Sequence, residues 1–184
     1  MALFKTTLSQ DDLVQGCIRN ERRAQELLYK QYTQSMMSIC IAYTKKENDA
    51  VEVLQDGFLK IFQQIQRFDA SKSSLYTWMR TIMVRTAIDF LRRGKNAPQA
   101  IEWTEQHDPS IDAEVLQRMS SQEILHLLHQ LPETTRAVFN LYVTEGFNHR
   151  EVGEMLNISE GTSKWHLSEA RKYLIDSIKK KERA

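Results

Sequence analysis

The sequence predicts an all-α chain: two small helical domains joined by a flexible acidic linker, the C-terminal one carrying a helix-turn-helix. Three observations carry this. Apolar residues recur at i, i+3 and i+4 along most of the 184 residues, and no stretch of useful length alternates as a strand would. The six glycines and three prolines are few enough to read as punctuation between helices. Between Gly94 and about residue 115, the run Gly94-Lys95-Asn96-Ala97-Pro98 continues through Glu102, Glu105 and Asp108 without helical periodicity. The expected domains are therefore 1–94 and 116–184, with 95–115 as the linker.

In the first domain, Ser9 is a plausible N-cap with Asp11 and Asp12 in the first turn, ahead of Leu13, Val14, Cys17 and Ile18 at helical spacing. A second helix is expected over 21–44. A third, over 49–66, places Val51, Leu54, Phe58, Ile61, Phe62 and Ile65 on one apolar stripe. Its opposite side carries Glu52, Gln55, Asp56, Lys60 and Gln63. After Phe68-Asp69-Ala70-Ser71, a fourth helix is expected over 75–93, with Leu75, Met79, Ile82, Met83, Thr86 and Phe90 turned inward.

The second domain starts with an amphipathic helix through Ile124, Leu127, Leu128 and Leu131. Pro132 stops it and opens the next helix, which contains Val138, Leu141 and Tyr142 and is closed by Gly146. Two more helices follow over 148–156 and 160–179, separated by Asn157-Ile158-Ser159, the arrangement of a helix-turn-helix. Val152, Met155 and Leu156 form the buried side of the first of these. Gly153 allows close crossing, Ile158 plugs the corner and Ser159 caps the second helix. On that second helix Leu167, Ala170, Leu174 and Ile178 form a narrow inward stripe. Thr162, Trp165, Ser168, Glu169 and Lys172 are expected outward, flanked by Lys164 and His166.

Composition narrows the function classes. With 41% hydrophobic and 27% charged residues, the chain is of ordinary globular type. No window approaches the ~18 uninterrupted apolar residues of a membrane span, and Met1-Ala2-Leu3-Phe4-Lys5 lacks the apolar core of a secretory signal, so a cytoplasmic protein is expected. Cys17 and Cys40 are isolated, which leaves a disulfide framework or cysteine-rich zinc site without support. His126 and His129 lie three apart on one helix with no third ligand nearby, and neither a glycine-rich phosphate loop nor a nucleophile motif is present. No catalytic residue, metal or cofactor is therefore assigned, and an enzyme is not expected.

A net charge of +1 would argue against a nucleic-acid partner were it even. It is not: residues 1–95 carry +5, residues 96–135 carry −6 and residues 136–184 carry +2. Local rather than total charge steers a polyanion. In the fourth helix a second stripe, Trp78, Thr81, Arg85, Asp89 and Arg92, repeats at helical spacing, and residues 72–95 hold six basic groups against Asp89 alone. Rings that stack bases, interleaved with cations that follow the backbone, are what single-stranded nucleic acid binding uses. Tyr76 and Trp78 are the stacking candidates, although Trp78 taken alone reads rather as core. In the helix-turn-helix, Thr162, Lys164 and Trp165 fall where recognition helices touch bases and phosphates. A helix that merely packs, with a solvated charged face, is the alternative there.

These residues resemble the extracytoplasmic-function (ECF) group of bacterial RNA polymerase sigma factors. The segment from Asp49-Ala50-Val51-Glu52 to Lys60-Ile61-Phe62 is similar to the family's polymerase-docking segment. Phe68-Asp69, Tyr76-Thr77-Trp78-Met79-Arg80 and Ala87 to Arg93 resemble its promoter-melting segment. Leu131-Pro132-Glu133, Ile158 to Lys164 and Ala170-Arg171-Lys172-Tyr173-Leu174 resemble its −35 reading domain.

The resemblance implies a sigma factor that binds core RNA polymerase and directs promoter recognition and melting, under control of a separate anti-sigma factor. It implies polymerase contacts at Glu52, Gln55, Asp56, Leu59, Lys60 and Gln63, and −10 contacts at Tyr76, Trp78, Thr81, Arg85, Arg92 and Arg93. The −35 contacts implied are Thr162, Ser163, Lys164, Trp165, His166, Ser168, Glu169, Arg171 and Lys172. Ser163, Trp165, His166 and Glu169 depart from the family's usual pattern, so no particular −35 sequence is implied. A stand-alone helix-turn-helix regulator, which would bind an operator without polymerase, is the competing reading. A helical adaptor that binds only protein is a third.

Overall fold

A computed structural model describes residues 9–93 and 120–182 as helices and short connections, with no strand among them. The expected linker at 95–115 lies outside the described residues. In order, the helices are α1 (Gln10–Ile18), α2 (Arg22–Tyr43), α3 (Glu47–Gln64), α4 (Leu75–Arg92), α5 (Ser121–Gln130), α6 (Glu133–Phe139), α7 (His149–Leu156) and α8 (Glu160–Glu182). The chain divides into two compact units, Met1–Ile41 with Glu47–Ala87, and Ala42–Lys46 with Ile88–Ala184.

In the first unit, Ser9 caps α1 by accepting the Asp12 amide, as its position predicts. The expected stripe on α3 is buried at Leu54, Phe58 and Ile61, and the expected inward face of α4 at Leu75, Met79, Met83 and Thr86. Ile82 and Phe90 are only half-buried. The Thr86 hydroxyl donates to the Ile82 carbonyl at 2.8 Å, which satisfies the one polar group on that face. Cys17 and Cys40 are free and buried, and burial pushes their thiols up to about 11 and about 12. Thiols this hard to ionise are poor nucleophiles and behave as small apolar core groups.

α3 runs into a short 3-10 turn, Ile65–Arg67. The Asp69 carboxylate then accepts from the Ser71 amide at 2.9 Å and its hydroxyl at 2.6 Å, and these bonds, ahead of the nearby Lys72, hold it below the usual carboxylate range. Ser74 caps α4 through the Thr77 amide. This sequence of turns fixes where α4 begins and which of its faces looks outward.

In the second unit, α6 and α7 both pack on α8. Ser120 and Glu123 form a capping box on α5, and Asn148 and Glu151 form another on α7. The expected helix between Pro132 and Gly146 is α-helical only to Phe139, and residues Asn140–Thr144 continue it as a π-helical turn. Gly146 follows at φ 79°, left-handed backbone that glycine adopts without strain. α7 ends on Asn157, also left-handed at φ 56°.

Candidate nucleic-acid interface

The helix-turn-helix is built from Asn148 to the end of α8. A β-carbon on Gly153 would lie 2.8 Å from the Ile158 carbonyl oxygen, so the turn closes against bare backbone at this position. Ser159 accepts from the Thr162 amide at 3.0 Å, capping α8 as expected. Below it, Leu167, Ala170, Leu174 and Ile178 are all buried, the predicted inward stripe.

The first turn of α8 departs from the expectation. Thr162 is 1% exposed and Ser163 is fully buried, so neither presents its side chain to DNA. Thr162 is drawn into the cap, its hydroxyl 2.8 Å from that of Ser159, which overrides the outward position the helical wheel assigns. Ser163 lies four residues before Leu167, on the same face, and its hydroxyl pairs with His149 Nδ1 at 3.0 Å. That four-residue spacing was a usable signal for an inward Ser163; the cap at Thr162 had none in the wheel.

His166 apart, the rest of the expected −35 set shares one side of α8. Lys164, Trp165, Ser168 and Arg171 are half-buried, and Glu169 and Lys172 are exposed. Lys164 also pairs with Glu160 at 2.9 Å. That pair, helped by His149 and Arg150, holds the Glu160 carboxyl below its ordinary value. Arg150, exposed in the first turn of α7 and within electrostatic reach of Glu160 at the start of α8, is a basic group that sequence reasoning missed.

His166 turns from this surface toward α6, its Nδ1 2.9 Å from the Thr135 hydroxyl and its ring edge-on to Trp165 at 4.8 Å. Burial lowers its pKa from 6.5 to about 4. The unfolded chain then binds the extra proton first, so the neutral, folded form is favoured above pH 6.5 and loses that advantage as pH falls toward 4. We expect the second unit to lose roughly 2–3 kcal/mol between these limits. His166→Phe should flatten the slope in urea unfolding followed against pH; an unchanged slope would show that His166 is not its source.

Along α4, Thr81, Arg85, Asp89 and Arg92 are exposed, with Arg93 exposed just past its end, and Trp78 is half-buried at the head of the same stripe. The Trp78 ring leans on Phe68, centroids 5.7 Å apart at 59°, so the residue that precedes the α4 turn supports it. Tyr76 is 38% exposed. It precedes Trp78 by two residues, about 200° of helix rotation, so the two rings lie on opposite sides of α4 and do not form one stacking track.

On α3, Glu52, Gln55, Leu59 and Gln63 are exposed, with Asp56 and Lys60 half-buried beside them. Leu59 is 57% exposed, the most open of the large apolar side chains described. An apolar group at the centre of a polar face is the composition of a protein-docking surface.

Among the described residues no three His, Cys, Asp or Glu side chains come together as a metal site, and no helix is long and apolar enough to cross a membrane. The arrangement defines a helix-turn-helix protein with a second, aromatic and basic helix face on α4. Residues 28–97 match Sigma-70 region 2 and residues 121–174 match Sigma-70, region 4.

The chain belongs to the ECF group of the sigma-70 family of RNA polymerase sigma factors. It is 26% identical to the ECF RNA polymerase sigma-E factor of Haemophilus influenzae, over 93% of this chain and 96% of that one. It is 28% identical to the RNA polymerase sigma-H factor of Pseudomonas aeruginosa, over 90% and 92%. Among solved structures, the sigma factor RpoE in complex with the anti-sigma factor NepR from Bartonella quintana is similar at a TM-score of 0.48 and 20% identity, covering 84% of this chain and 96% of that one.

Proposed function

We propose that this chain is a cytoplasmic sigma factor that binds bacterial core RNA polymerase and directs promoter recognition, DNA melting and transcription initiation, with no catalytic step of its own. The observation that carries the reading is the order of the two matches, Sigma-70 region 2 at 28–97 and region 4 at 121–174, along one chain. Residues 1–94 serve polymerase and −10 binding, 95–115 connect, and 116–184 serve the −35 element.

The polymerase-facing surface is Glu52, Gln55, Asp56, Leu59, Lys60 and Gln63. Trp78, Thr81 and Arg85 capture unstacked bases, Arg92 and Arg93 hold duplex phosphates, and Tyr76 acts from the other side of α4. On α8, Lys164, Trp165, Ser168, Glu169, Arg171 and Lys172 face the −35 element, Glu169 being suited to accept from a cytosine amino group. His166 secures the helix to α6. Thr162 and Ser163 have no contact role. The net charges of +5 and +2 on the two ends provide few phosphate contacts, so binding to DNA alone is weak and salt-sensitive. Polymerase supplies the missing affinity by holding both domains at a fixed spacing. A separate anti-sigma factor is the expected regulator.

Transcription in vitro with purified core polymerase and a genomic promoter library tests the reading. Promoter-specific transcripts are expected, and Leu59→Arg should weaken core binding about tenfold by setting a charge at the centre of the contact. No specific transcript beside an active control sigma factor, or tight operator binding without polymerase, would overturn it.

A further inference from the structure

The first turn of α8 is held by a relay that runs through three elements of the second unit. The π-helical turn after α6 is closed by the Glu145 amide on the Asn140 carbonyl and the Phe147 amide on the Leu141 carbonyl, both at 3.0 Å. From this turn the Tyr142 ring lies over the His149 ring, centroids 4.3 Å apart and planes 25° from parallel. His149 is the first residue of α7, directly after its cap Asn148. Its Nδ1 reaches the buried Ser163 hydroxyl at 3.0 Å. One imidazole is thus stacked on one neighbour and hydrogen-bonded to another, with the recognition helix at the end of the chain of contacts.

An apolar stripe such as Leu167, Ala170 and Leu174 fixes how close α8 lies to its neighbours but resists rotation about the helix axis only weakly, because dispersion contacts carry little direction. A hydrogen bond at the first turn is directional, and a buried hydroxyl that loses its partner is left unsatisfied. Lys164 and Trp165 follow Ser163 directly, so the rotation fixed at Ser163 is the rotation at which they leave the helix.

We infer that His149 is a positioning residue: held by Tyr142 and bonded to Ser163, it sets the rotation of α8 and thereby selects the −35 sequence without touching DNA. The inference rests on the −35 role proposed above for α8.

The test uses the full chain with core polymerase on promoters that share one −10 element and differ by single bases in the −35 element. Ser163→Ala and His149→Phe, the latter keeping a ring for Tyr142, should each change the yield ratio between the preferred −35 element and its single-base variants by about fivefold, the effect of one neutral hydrogen bond. The double variant should be no worse than either single one, since both remove the same bond. His149→Asn, whose amide can occupy the place of Nδ1, should restore most of the ratio. Should His149→Phe fail to fold, Tyr142→Leu alongside Ser163→Ala makes the same comparison, and both should alter the same base positions.

Additive effects, or a fall in total yield with every ratio unchanged, would reduce His149 to a stability residue and overturn the inference. A wild-type chain with no −35 preference would instead remove the functional reading beneath it.

Discussion

Gly153→Val should abolish −35-dependent transcription while leaving polymerase binding in place. The added β-carbon would meet the Ile158 carbonyl oxygen at 2.8 Å and approach the Glu160 nitrogen at 3.6 Å, and neither is the end of a flexible side chain that could move aside. The turn also depends on the Ile158 amide bonding to the Gly153 carbonyl at 3.0 Å and on Asn157 keeping its left-handed backbone. Moving the carbonyl disturbs all three, at a destabilisation of about 2–4 kcal/mol. Hydrogen exchange would read this locally: amides of α7 and α8 should lose protection, while those of α1 to α3 should not change. Unchanged protection in α7 and α8 would mean that the turn yields without strain.

Trp78→Ala should reduce open-complex formation about 5- to 150-fold, corresponding to the ~1–3 kcal/mol that base–aromatic stacking contributes per base. Permanganate reactivity of the melted thymines measures it, with core binding measured alongside. Trp78 also supports Phe68, so Trp78→Phe serves as the control: it keeps a ring in the same place and should recover much of the effect. Arg85→Ala should act in the same direction, lowering melting more than polymerase binding, because its exposed guanidinium lies on the same stripe. Equal loss of binding and melting in these variants would argue that α4 is structural only.

Much of the architecture was legible because helical periodicity and capping are local. Ser9 and Ser159 cap the helices their positions predicted, and Leu167, Ala170, Leu174 and Ile178 are buried together as their spacing required. The π-helical turn was not legible, since one extra residue per turn barely disturbs the pattern of Val138, Leu141 and Tyr142.

The candidate site was legible as a set of faces and less so residue by residue. On α4 four of the five residues in the second stripe are exposed, and on α3 the polar side with Leu59 faces outward. On the first turn of α8 the wheel misplaced Thr162, because a wheel counts rotation and ignores hydrogen bonds. Thr162 follows its cap, while Ser163 turns inward with Leu167 four residues on and there meets His149 of the preceding helix.

The exposed stripe on α4 is also a ruler. From Trp78 to Arg92 it rises about 21 Å at 1.5 Å per residue. Stacked bases advance about 3.4 Å per step along a strand, so the stripe spans roughly six of them. In the proposed −10 role, a rigid helix of that length limits how many bases one face can meet at once. The size of the recognised element would then be set by the distance between a tryptophan and an arginine on one helix.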